Sequence, residues 1–488
     1  MLPVLTPSQM AAVDAAAAER VDVLIARAAG AVARAAADLM GGTYGRRVVV
    51  VAGPGNNGND GRVAAELLRR RGVRVLVVDV ADAPGVLGPA DLVIDAAFGT
   101  GFRGTYSFPD PNGAPVLAVD IPSGVSGLTG AVSGTPARAA ATVTFAALKP
   151  GLLLGEGPSY SGQVTVADIG LDVTDGAVVG SSTAGLVTDD DVVAWVPARS
   201  VDDHKWRHAV WVVAGSPGMT GAAVLCSTAA MRAGAGYVRL TVPGAGFAGP
   251  GAGFAGPSPG GSAVEHIEQG SGGPTPPTEA VVVSAPLDRW AGVVVDGASR
   301  FGSVAIGPGL GRADGVAEQV RSALAGVPRP VVLDGDGLWA IASSSLDALA
   351  ARPQHEGEAA ATVITPHDGE YEMLTGAPPG DDRVDAARSL AADTGAVVLL
   401  KGPTTVVADP DGDVALVRSG DERLATAGTG DVLTGTIAAM VAAGTSPFHA
   451  AAAGAHLHGR AAMLGPAHGL VATDVAALLP AAWASLTD

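Results

Sequence analysis

The chain has little of several residue types. A single cysteine, Cys226, excludes an intrachain disulfide and is typical of a protein from a reducing cytosol. Aromatic residues make up only 4% of the sequence, so the cores must be built largely from Ala, Val and Leu. No apolar run reaches the roughly 18 residues that span a bilayer, and the first ten residues lack the features of a signal peptide. We therefore expect a cytoplasmic protein that does not insert into membranes.

Positive charge is also scarce, and lysine is the scarcest. The formal net charge is −18, which argues against broad nucleic-acid binding. Only three of the 30 basic residues are lysines, namely Lys149, Lys205 and Lys401. A coding bias toward arginine explains most of this, but it makes the remaining lysines candidates for sites that need a compact ammonium group. Each of them lies within a motif.

At 488 residues the chain predicts two or more domains. Continuous β-branched runs alternate with helices over residues 1–180, after an Ala-rich helical region from Pro7 to Met40. The pattern restarts over 186–488, which predicts a second and larger unit of the same kind. The fold class is therefore α/β, with two doubly wound domains, the first of them a Rossmann-like three-layer sandwich. A Gly/Pro-rich insertion, Gly244–Thr278, contains a seven-residue tandem repeat and predicts a peripheral surface loop.

Acidic residues follow three strands of the first predicted domain. GPGNNGNDG (53–61) lies between a strand and a helix expected at about Arg62–Arg71, and its first six residues fit a dinucleotide-binding loop. Its amide and carboxylate side chains are unusual for such a loop, and such oxygens bind hard cations as well as substrates. Asp95 and Asp120 end two further strands. Since the carboxyl ends of parallel strands face one crevice, Asp60, Asp95 and Asp120 are predicted to share a site.

These segments resemble the NAD(P)HX epimerase family, the YjeF N-terminal domain. The resemblance rests on NNGNDG, VIDAAFGTGFRG, VDIPSG and TFAALKPGL. It implies a substrate site at Asn56, Asn57, Gly58, Asn59, Asp60, Gly99, Thr100, Gly101, Phe102, Arg103, Gly104, Thr105 and Asp120. It also implies a potassium ion bound by Asn57, Asp95 and Ser123. Asp60 and Asp120 are both candidates for the epimerase base. Asn59 and the segment Ile25–Gly30 depart from the family pattern, and Lys149 has no role that the sequence reveals.

The second predicted domain carries TAGTGDVLTG (426–435) before an apolar helix. Its glycines and the helix N-terminus predict an anion hole for phosphate, and Asp431 beside it is suited to be a base. Earlier strand ends carry GPGLG, LDGDGL, ITPHDGE and KGPTT. This order is similar to the ribokinase-like superfamily and, within it, to the ADP/ATP-dependent NAD(P)H-hydrate dehydratase family. The resemblance implies substrate contacts from Ala222, Gly309, His367 and Asp431. It implies nucleotide contacts from Lys401, Gly402, Pro403, Thr404, Thr405 and Gly430.

Together the motifs favour a bifunctional repair enzyme that epimerises R- and S-NAD(P)HX and dehydrates the S form to NAD(P)H. In the dehydratase, Asp431 takes the proton from the substrate hydroxyl as it attacks the terminal phosphate of the nucleotide. The resemblance implies Mg²⁺ with ADP or ATP, and the bacterial character of the composition favours ADP. Small molecules are the expected partners, and a homo-oligomer stays open. Alternatives are a ribokinase-like small-molecule kinase with an N-terminal nucleotide-binding module, or a first domain that is only a scaffold.

Overall fold

The computed structural model describes residues 1–180, 183–244, 275–342, 346–350, 352–355 and 358–487. The chain divides into two compact units, Met1–Leu186 with Gly380–Arg383, and Val187–Pro379 with Val384–Asp488. Most of the predicted insertion, from residue 245 to 274, lies outside the described residues. Within the described ranges, no helix is both long enough and apolar enough to cross a membrane.

The first unit contains ten strands and five α-helices among its described residues. The strands are β1 (Leu2–Pro3), β2 (Arg47–Ala52), β3 (Arg74–Asp79), β4 (Leu92–Ala96), β5 (Tyr106–Ser107), β6 (Val116–Val119), β7 (Gly134–Thr135), β8 (Ala141–Phe145), β9 (Gln163–Ala167) and β10 (Ala184–Leu186). The helices are α1 (Pro7–Ala16), α2 (Val21–Leu39), α3 (Asn56–Arg70), α4 (Gly157–Ser161) and α5 (Gly176–Val179).

A six-stranded parallel sheet forms the centre of this unit, in the order β3-β2-β4-β6-β8-β9. Alternate residues of β2 face opposite sides: Val48 and Val50 pack with α2 and α3, whereas Val49 and Val51 pack with Leu87 of a connecting loop. Because both faces are covered, the strands are apolar throughout, as the sequence predicted. The parallel α/β class of this unit is confirmed.

The polar segment after β2 is helical, which corrects the predicted loop. Helix α3 begins at Asn56 instead of near Arg62. A Cβ atom at Gly58 would lie 1.9 Å from the carbonyl oxygen of Gly53, and one at Gly61 would lie 2.4 Å from the Cβ of Ala96. Glycine at these positions lets the first turns of α3 pack directly against the sheet. The glycines therefore serve close packing, which the G-x-G-x-x-G spacing alone does not reveal.

The second unit contains eleven strands and eleven α-helices among its described residues. The strands are β11 (Ala209–Val213), β12 (Tyr237–Thr241), β13 (Val281–Val282), β14 (Ser303–Ile306), β15 (Val331–Leu333), β16 (Gln354–His355), β17 (Glu358–Ala359), β18 (Thr362–Ile364), β19 (Val397–Leu400), β20 (Thr405–Ala408) and β21 (Val414–Val417). The helices are α6 (Asp189–Trp195), α7 (Thr220–Arg232), α8 (Trp290–Gly297), α9 (Val316–Gly326), α10 (Asp336–Ala342), α11 (Asp347–Ala350), α12 (Asp368–Thr375), α13 (Arg383–Thr394), α14 (Thr429–Ala442), α15 (Pro447–Leu464) and α16 (Ala472–Ala484).

The main sheet of this unit runs β21-β20-β19-β18-β15-β14-β11-β12-β13. The seven strands from β19 to β13 are parallel, as the recurrence of the α/β pattern in this part of the chain predicted. Strands β20 and β21 extend the sheet in an antiparallel fashion and were not predicted. Because β11, β14, β15, β18 and β19 are parallel neighbours, the motifs at their carboxyl ends meet at one edge of the sheet.

Helices α7 and α14 cross in backbone contact on one face of this sheet. A Cβ atom at Gly435 would lie 2.1 Å from the carbonyl oxygen of Cys226, so only glycine permits the approach. Cys226 itself is fully buried. The burial of its thiol, with the negative charges of Asp431 and Asp334 nearby, raises the thiol pKa well above its ordinary value. This crossing fixes where α14 begins, and with it the predicted anion hole.

Candidate functional site

The first unit holds a cavity of about 560 Å³ at the carboxyl edge of β2, β4, β6 and β8. The structure brings eight of the predicted substrate residues to its walls. They are Asn56, Asn57, Asp60, Gly99, Thr100, Gly101, Phe102 and Asp120. Asp60 and Asp120 therefore face one crevice, as parallel sheet geometry requires, whereas Asp95 is fully buried and does not line it.

The other five predicted substrate residues lie outside the cavity lining. Gly58 is buried against Gly53, and Asn59 is exposed on α3, so its side chain does not narrow the site. Arg103 donates to the carbonyl oxygens of Thr100 and Phe102, at 3.3 and 3.0 Å. Gly104 and Thr105 follow it, with the hydroxyl of Thr105 3.2 Å from that of Ser133. These residues shape the loop from outside the cavity.

Asp120 has the most constrained backbone in this site. Its φ of +67° lies in the left-handed region that non-glycine residues seldom adopt. Its Oδ1 lies 2.7 Å from the ammonium of Lys149 and accepts a hydrogen bond from Thr144 at 3.1 Å. Lys149 is almost completely buried and also donates to Thr144 and to the Phe145 carbonyl. The buried ion pair with Lys149 thus holds the carboxylate of Asp120, a residue with a strained backbone, at the cavity wall.

Asp60 lies in a different electrostatic environment from Asp120. Burial, followed by repulsion from Asp120 and Asp14, raises the pKa of Asp60 to about 8. The pKa of Asp14, on α1, is raised by its own burial, although Lys149 opposes the shift. Two carboxyl groups of one cavity therefore lie in different surroundings: Asp60 carries its proton at neutral pH, and Asp120 lies against the Lys149 ammonium.

The proposed potassium ligands include an unpaired amide. Asp95 is fully buried and accepts hydrogen bonds from the Ser123 hydroxyl at 2.6 Å and the Ser123 amide at 2.8 Å. Burial raises the pKa of Asp95 to about 6, although these hydrogen bonds oppose the shift. Both polar atoms of the Asn57 amide are buried without a hydrogen-bond partner. Oxygen donors of this kind, one of them unsatisfied, fit a hard cation.

Sequence reasoning missed three contributors to this cavity. Asp14 and Lys149 line it, and Phe98, stacked on Phe102 at 4.1 Å, supplies an aromatic wall. The rarity of lysine was a signal for Lys149, whereas nothing in the spacing marks Asp14. The divergent Ile25–Gly30 segment also reaches the site, because Ile25 and Ala28 line the cavity. The segment that departs from the family pattern therefore forms part of the cavity wall.

The second unit holds an open cavity of about 460 Å³ at the carboxyl edge of its sheet. Three predicted substrate residues line it: Ala222 on α7, Gly309 after β14 and Asp431 on α14. A Cβ atom at Gly309 would lie 2.8 Å from that of Ala222, so a side chain there would displace this wall. The predicted convergence of loop and helix residues is thus present in the geometry.

Helix α14 begins as the phosphate-binding hypothesis requires. Its N-cap, Gly428, has φ = +90° and offers no side chain to cap the first amides. Those N–H groups and the helix dipole favour an anion at this end. Asp431 lies in the first turn, where burial and then repulsion from Asp334 raise its pKa to about 7. A carboxyl group with a pKa near neutrality is suited to accept a proton from a hydroxyl group.

Lys401 is held in an ion pair next to this helix. Its ammonium lies 2.6 Å from Asp334 Oδ1 and 3.9 Å from Glu370 Oε2. A Cβ atom at Gly430 would lie 3.6 Å from the Lys401 ammonium, which places the pair under the helix start. Burial opposes the charge on Lys401, but Asp334 and Glu370 outweigh it and raise the pKa of the ammonium. The cation is therefore fixed beside the expected phosphate position.

The remaining predicted residues are spread around this edge. Gly402 and Pro403 are exposed, Thr404 is buried, and Thr405 begins β20. His367 does not line the cavity. It caps α12, with Nδ1 accepting from the amides of Gly369 and Glu370 at 3.1 and 3.2 Å.

Four polar residues of this cavity region were not predicted as site residues. Arg312, Asp336 and Glu370 line the cavity, and Asp334 anchors Lys401. Asp334 and Asp336 belong to the LDGDGL motif and Glu370 to ITPHDGE, so the motifs marked the segments but not the members. Among the described residues, no group of three His, Cys, Asp or Glu side chains is arranged to hold a metal ion.

The fold defines a two-unit α/β protein with a cavity at the carboxyl edge of the main sheet of each unit. The family model described as YjeF-related protein N-terminus matches residues 21–86 and 79–151, and that described as NAD(P)H-hydrate dehydratase matches residues 275–481. The bifunctional NAD(P)H-hydrate repair enzyme Nnr of Mycobacterium leprae is 37% identical over 458 residues, which cover 88% of this chain and 85% of that protein. The Salinibacter ruber enzyme of the same name is 36% identical over 542 residues, covering 98% and 95%.

The chain belongs to the family of bifunctional NAD(P)H-hydrate repair enzymes. The resemblance that the motifs suggested is therefore confirmed. A solved structure, the ADP/ATP-dependent NAD(P)H-hydrate dehydratase from Bacillus subtilis co-crystallised with ATP and Mg²⁺, is also similar. It is 28% identical, with 62% of this chain and 98% of that chain covered and a TM-score of 0.47.

Proposed function

We propose that this chain epimerises R- and S-NAD(P)HX in the first unit and dehydrates S-NAD(P)HX to NAD(P)H in the second, at the expense of ADP or ATP. Asp431 carries the proposal for the second unit. It combines a pKa near 7, a place in the cavity wall and a position in the first turn of α14. Binding alone does not call for a carboxylate beside an anion hole, whereas hydroxyl activation does.

The dehydration consists of two steps in which this chain moves one proton. The oxygen of the substrate hydroxyl bonds to the terminal phosphorus of the nucleotide, and the bridging P–O bond breaks. Asp431 accepts the proton of that hydroxyl as the new bond forms. The C–O bond to the new phosphate then breaks, because the ring nitrogen donates its lone pair, and phosphate leaves. The resulting iminium ion loses a ring proton to water, which restores NAD(P)H. Lys401 and the first amides of α14 stabilise the negative charge on the phosphates.

The nucleotide is expected between the start of α14 and the strand-end residues Lys401–Thr405, with Gly430 at the phosphates. Ala222, Gly309 and Asp431 form the pocket for the hydrated ring, and His367 is retained as a substrate contact. Its Nε2 lies 3.7 Å from Glu370, which lines the cavity. Mg²⁺ is expected to enter bound to the nucleotide phosphates, since the described residues offer no preformed metal cage.

In the first unit, Asp60 and Asp120 remain the two candidates for the epimerase base. The unsatisfied Asn57 amide, with Asp95 and Ser123, is proposed to bind potassium, whose charge would help to hold the substrate loop. The chain is expected to act in the cytoplasm on small molecules, and a homo-oligomer is compatible with either site.

The test uses the purified full-length protein and a mixture of R- and S-NADHX, with ADP or ATP and Mg²⁺. Complete recovery of NADH absorbance supports both activities, whereas recovery of the S form alone would contradict the epimerase assignment. No recovery with either nucleotide would contradict the dehydratase assignment and favour a kinase or a binding module. Asp431→Asn should abolish nucleotide-dependent recovery while ADP binding, measured by calorimetry, and epimerisation persist.

A further inference from the structure

The carboxylate of Asp334 joins three separate elements of the second unit. Its Oδ1 accepts hydrogen bonds from Lys401, after β19, at 2.6 Å and from the Thr365 hydroxyl, after β18, at 2.7 Å. Its Oδ2 accepts from the Thr434 hydroxyl on α14 at 2.8 Å. Asp334 itself follows β15 and is almost completely buried. One side chain thus connects two strand ends to the helix that bears the proposed base.

The hydrogen bond from Thr434 to Asp334 lies close to Asp431, the proposed base on α14. Thr434 lies three residues after Asp431, so the two side chains project from the same face of the helix. The Thr434 hydroxyl is also 3.0 Å from the Gly430 carbonyl oxygen. A Cβ atom at Gly430 would lie 3.7 Å from Asp334 Oδ2, which shows how closely the first turn approaches the carboxylate. Asp334 therefore fixes the rotation and depth of this turn.

The charge of Asp334 is also maintained in the folded protein. Burial alone would raise its pKa, but the Lys401 ammonium and the two hydroxyl groups outweigh burial and hold the pKa below its ordinary value. The carboxylate is therefore ionised and lies near Asp431. After burial it is the largest influence on the pKa of Asp431, and it raises that pKa while Lys401 lowers it.

Other charged or titratable groups also lie around Asp431. Asp336 also raises the pKa of Asp431, but less than Asp334 does. Glu370 and Arg312 line the same cavity, Cys226 faces α14 from α7, and His458 on α15 hydrogen-bonds the Thr429 backbone. Burial lowers the pKa of His458 to about 4, so this histidine is neutral. The cation that pairs with Asp334 is Lys401.

We propose that Asp334 is a positioning residue for dehydration, which holds Asp431 through the first turn of α14 and supplies the negative charge that makes it an effective base. The inference rests on the proposed function, because it concerns the same proton transfer. Asp334 is not placed in contact with the substrate. Its three partners come from segments that are 31, 67 and 100 residues away in the sequence.

The experiment compares the pH dependence of kcat/KM for S-NADHX dehydration in the full-length wild type and in Asp334→Asn. The wild-type rate should rise with pH and level off above about 7, because the free enzyme needs Asp431 ionised. In Asp334→Asn the positive charge of Lys401 is no longer balanced, which lowers the pKa of Asp431. The acid limb of the profile should therefore shift to lower pH by about one unit. The plateau should fall about tenfold or more, because the base is weaker and its helix is less fixed.

Two matched variants separate charge from geometry. Thr434→Val removes one hydrogen bond to Asp334 but retains the carboxylate, so the plateau should fall while the acid limb stays in place. Thr434→Ser retains the hydroxyl group and should restore most of the wild-type plateau. Circular dichroism and thermal unfolding report whether the second unit of each variant is folded.

The outcomes distinguish this inference from the function on which it rests. If the wild type fails to dehydrate S-NADHX with ADP or ATP, the proposed function is wrong. If the wild type is active and Asp334→Asn keeps the wild-type acid limb, whether its plateau is normal or uniformly reduced, Asp334 has no such positioning role. A downward shift in Asp334→Asn, with none in Thr434→Val, supports the proposal. Where Asp334→Asn does not fold, a Thr434→Val plateau equal to that of the wild type would overturn it.

Discussion

The ammonium of Lys149 lies 2.7 Å from Oδ1 of Asp120, and both groups are withdrawn from solvent at the wall of the first cavity. Only 2% of the Lys149 side chain and 15% of the Asp120 side chain are exposed. Such a pair costs free energy to desolvate, but the loss of one partner leaves an uncompensated buried charge. Lys149, one of three lysines in the chain, is therefore the specific counter-ion of Asp120.

Lys149→Met should abolish most of the epimerase activity and lower the free energy of unfolding of the first unit by roughly 3 kcal/mol. The reason is that Asp120 would lose both its counter-ion and its orientation. The measurement is the rate of R-NADHX conversion, coupled to an excess of separate dehydratase, together with urea unfolding. Lys205→Met is the matched control, since Lys205 is exposed, and should change neither quantity. Wild-type epimerisation in Lys149→Met would contradict the role of the ion pair.

The unsatisfied amide of Asn57 predicts a potassium requirement for epimerisation. Replacement of potassium by a large organic cation should reduce the epimerase rate of the wild type, and added KCl should restore it. Asn57→Ala should need a higher potassium concentration for the same rate, because an oxygen ligand is lost. Asn59→Ala, in which the side chain is exposed on the same helix, should retain the wild-type potassium response. Equal potassium curves for Asn57→Ala and the wild type would argue against the proposed ion site.

Asp431 predicts an unusual dependence of stability on pH. Its pKa is about 7 in the folded protein and has its ordinary value of 3.8 in the unfolded chain. The folded state therefore binds the proton more tightly, and the stability that this proton provides is lost as pH rises from about 4 to 7. Asp431→Asn lacks this group and should be more stable than the wild type at pH 8, by on the order of 2 kcal/mol.

Thermal unfolding at a series of pH values checks this linkage. The difference in Tm between Asp431→Asn and the wild type should be small at pH 4 and reach its maximum at pH 8. A constant difference across this range would mean that the pKa of Asp431 is not raised by folding.

The backbone of Gly428 predicts a large effect from a single methyl group. At φ = +90°, alanine adopts a strained conformation that costs roughly 1–2 kcal/mol. Its Cβ would also lie 2.6 Å from Cδ1 of Leu225 and 3.1 Å from Cβ of Ala472. Gly428→Ala should therefore lower Tm and weaken ADP binding, because the first turn of α14 must shift.

Gly444→Ala separates strain from collision. Gly444 has φ = +96°, but its added Cβ would meet no atom within 4 Å. It should lose only the stability that is due to backbone strain and retain ADP affinity, measured by calorimetry. Equal losses of ADP affinity in the two variants would show that the fit of the helix start is unimportant.

Buried strands could be predicted from the sequence, whereas strand direction and one helix start could not. Parallel strands such as β2 and β14 were predicted because both their faces are buried, which makes them continuously apolar. Strands β20 and β21 are equally apolar and were not predicted; because they run antiparallel, a continuous apolar run indicates burial on both faces and does not fix strand direction. The helical start at Asn56 was missed because its residues read as a turn, and only close packing against Gly53 and Ala96 makes the helix favourable there.

The site was predictable where a motif is local in sequence. The glycines before Asp431 predicted a helix start with space for an anion, and α14 begins there with Gly428 as its N-cap. The partner of Lys401 was not predictable, because Asp334 lies 67 residues earlier and meets it only when β15, β18 and β19 assemble. For the same reason Asp14 was missed, since helix α1 reaches the cavity only through tertiary packing.

The crossing of α7 and α14 has a consequence for how the second unit responds to oxidants. Cys226, the sole thiol of the chain, is sealed at that crossing, and its raised pKa keeps it from becoming a thiolate. Peroxides and alkylating reagents attack thiolates at accessible positions, so the single cysteine is not a target for them in the folded protein. An enzyme that restores a redox cofactor therefore carries no cysteine through which the redox state of its surroundings can switch it off.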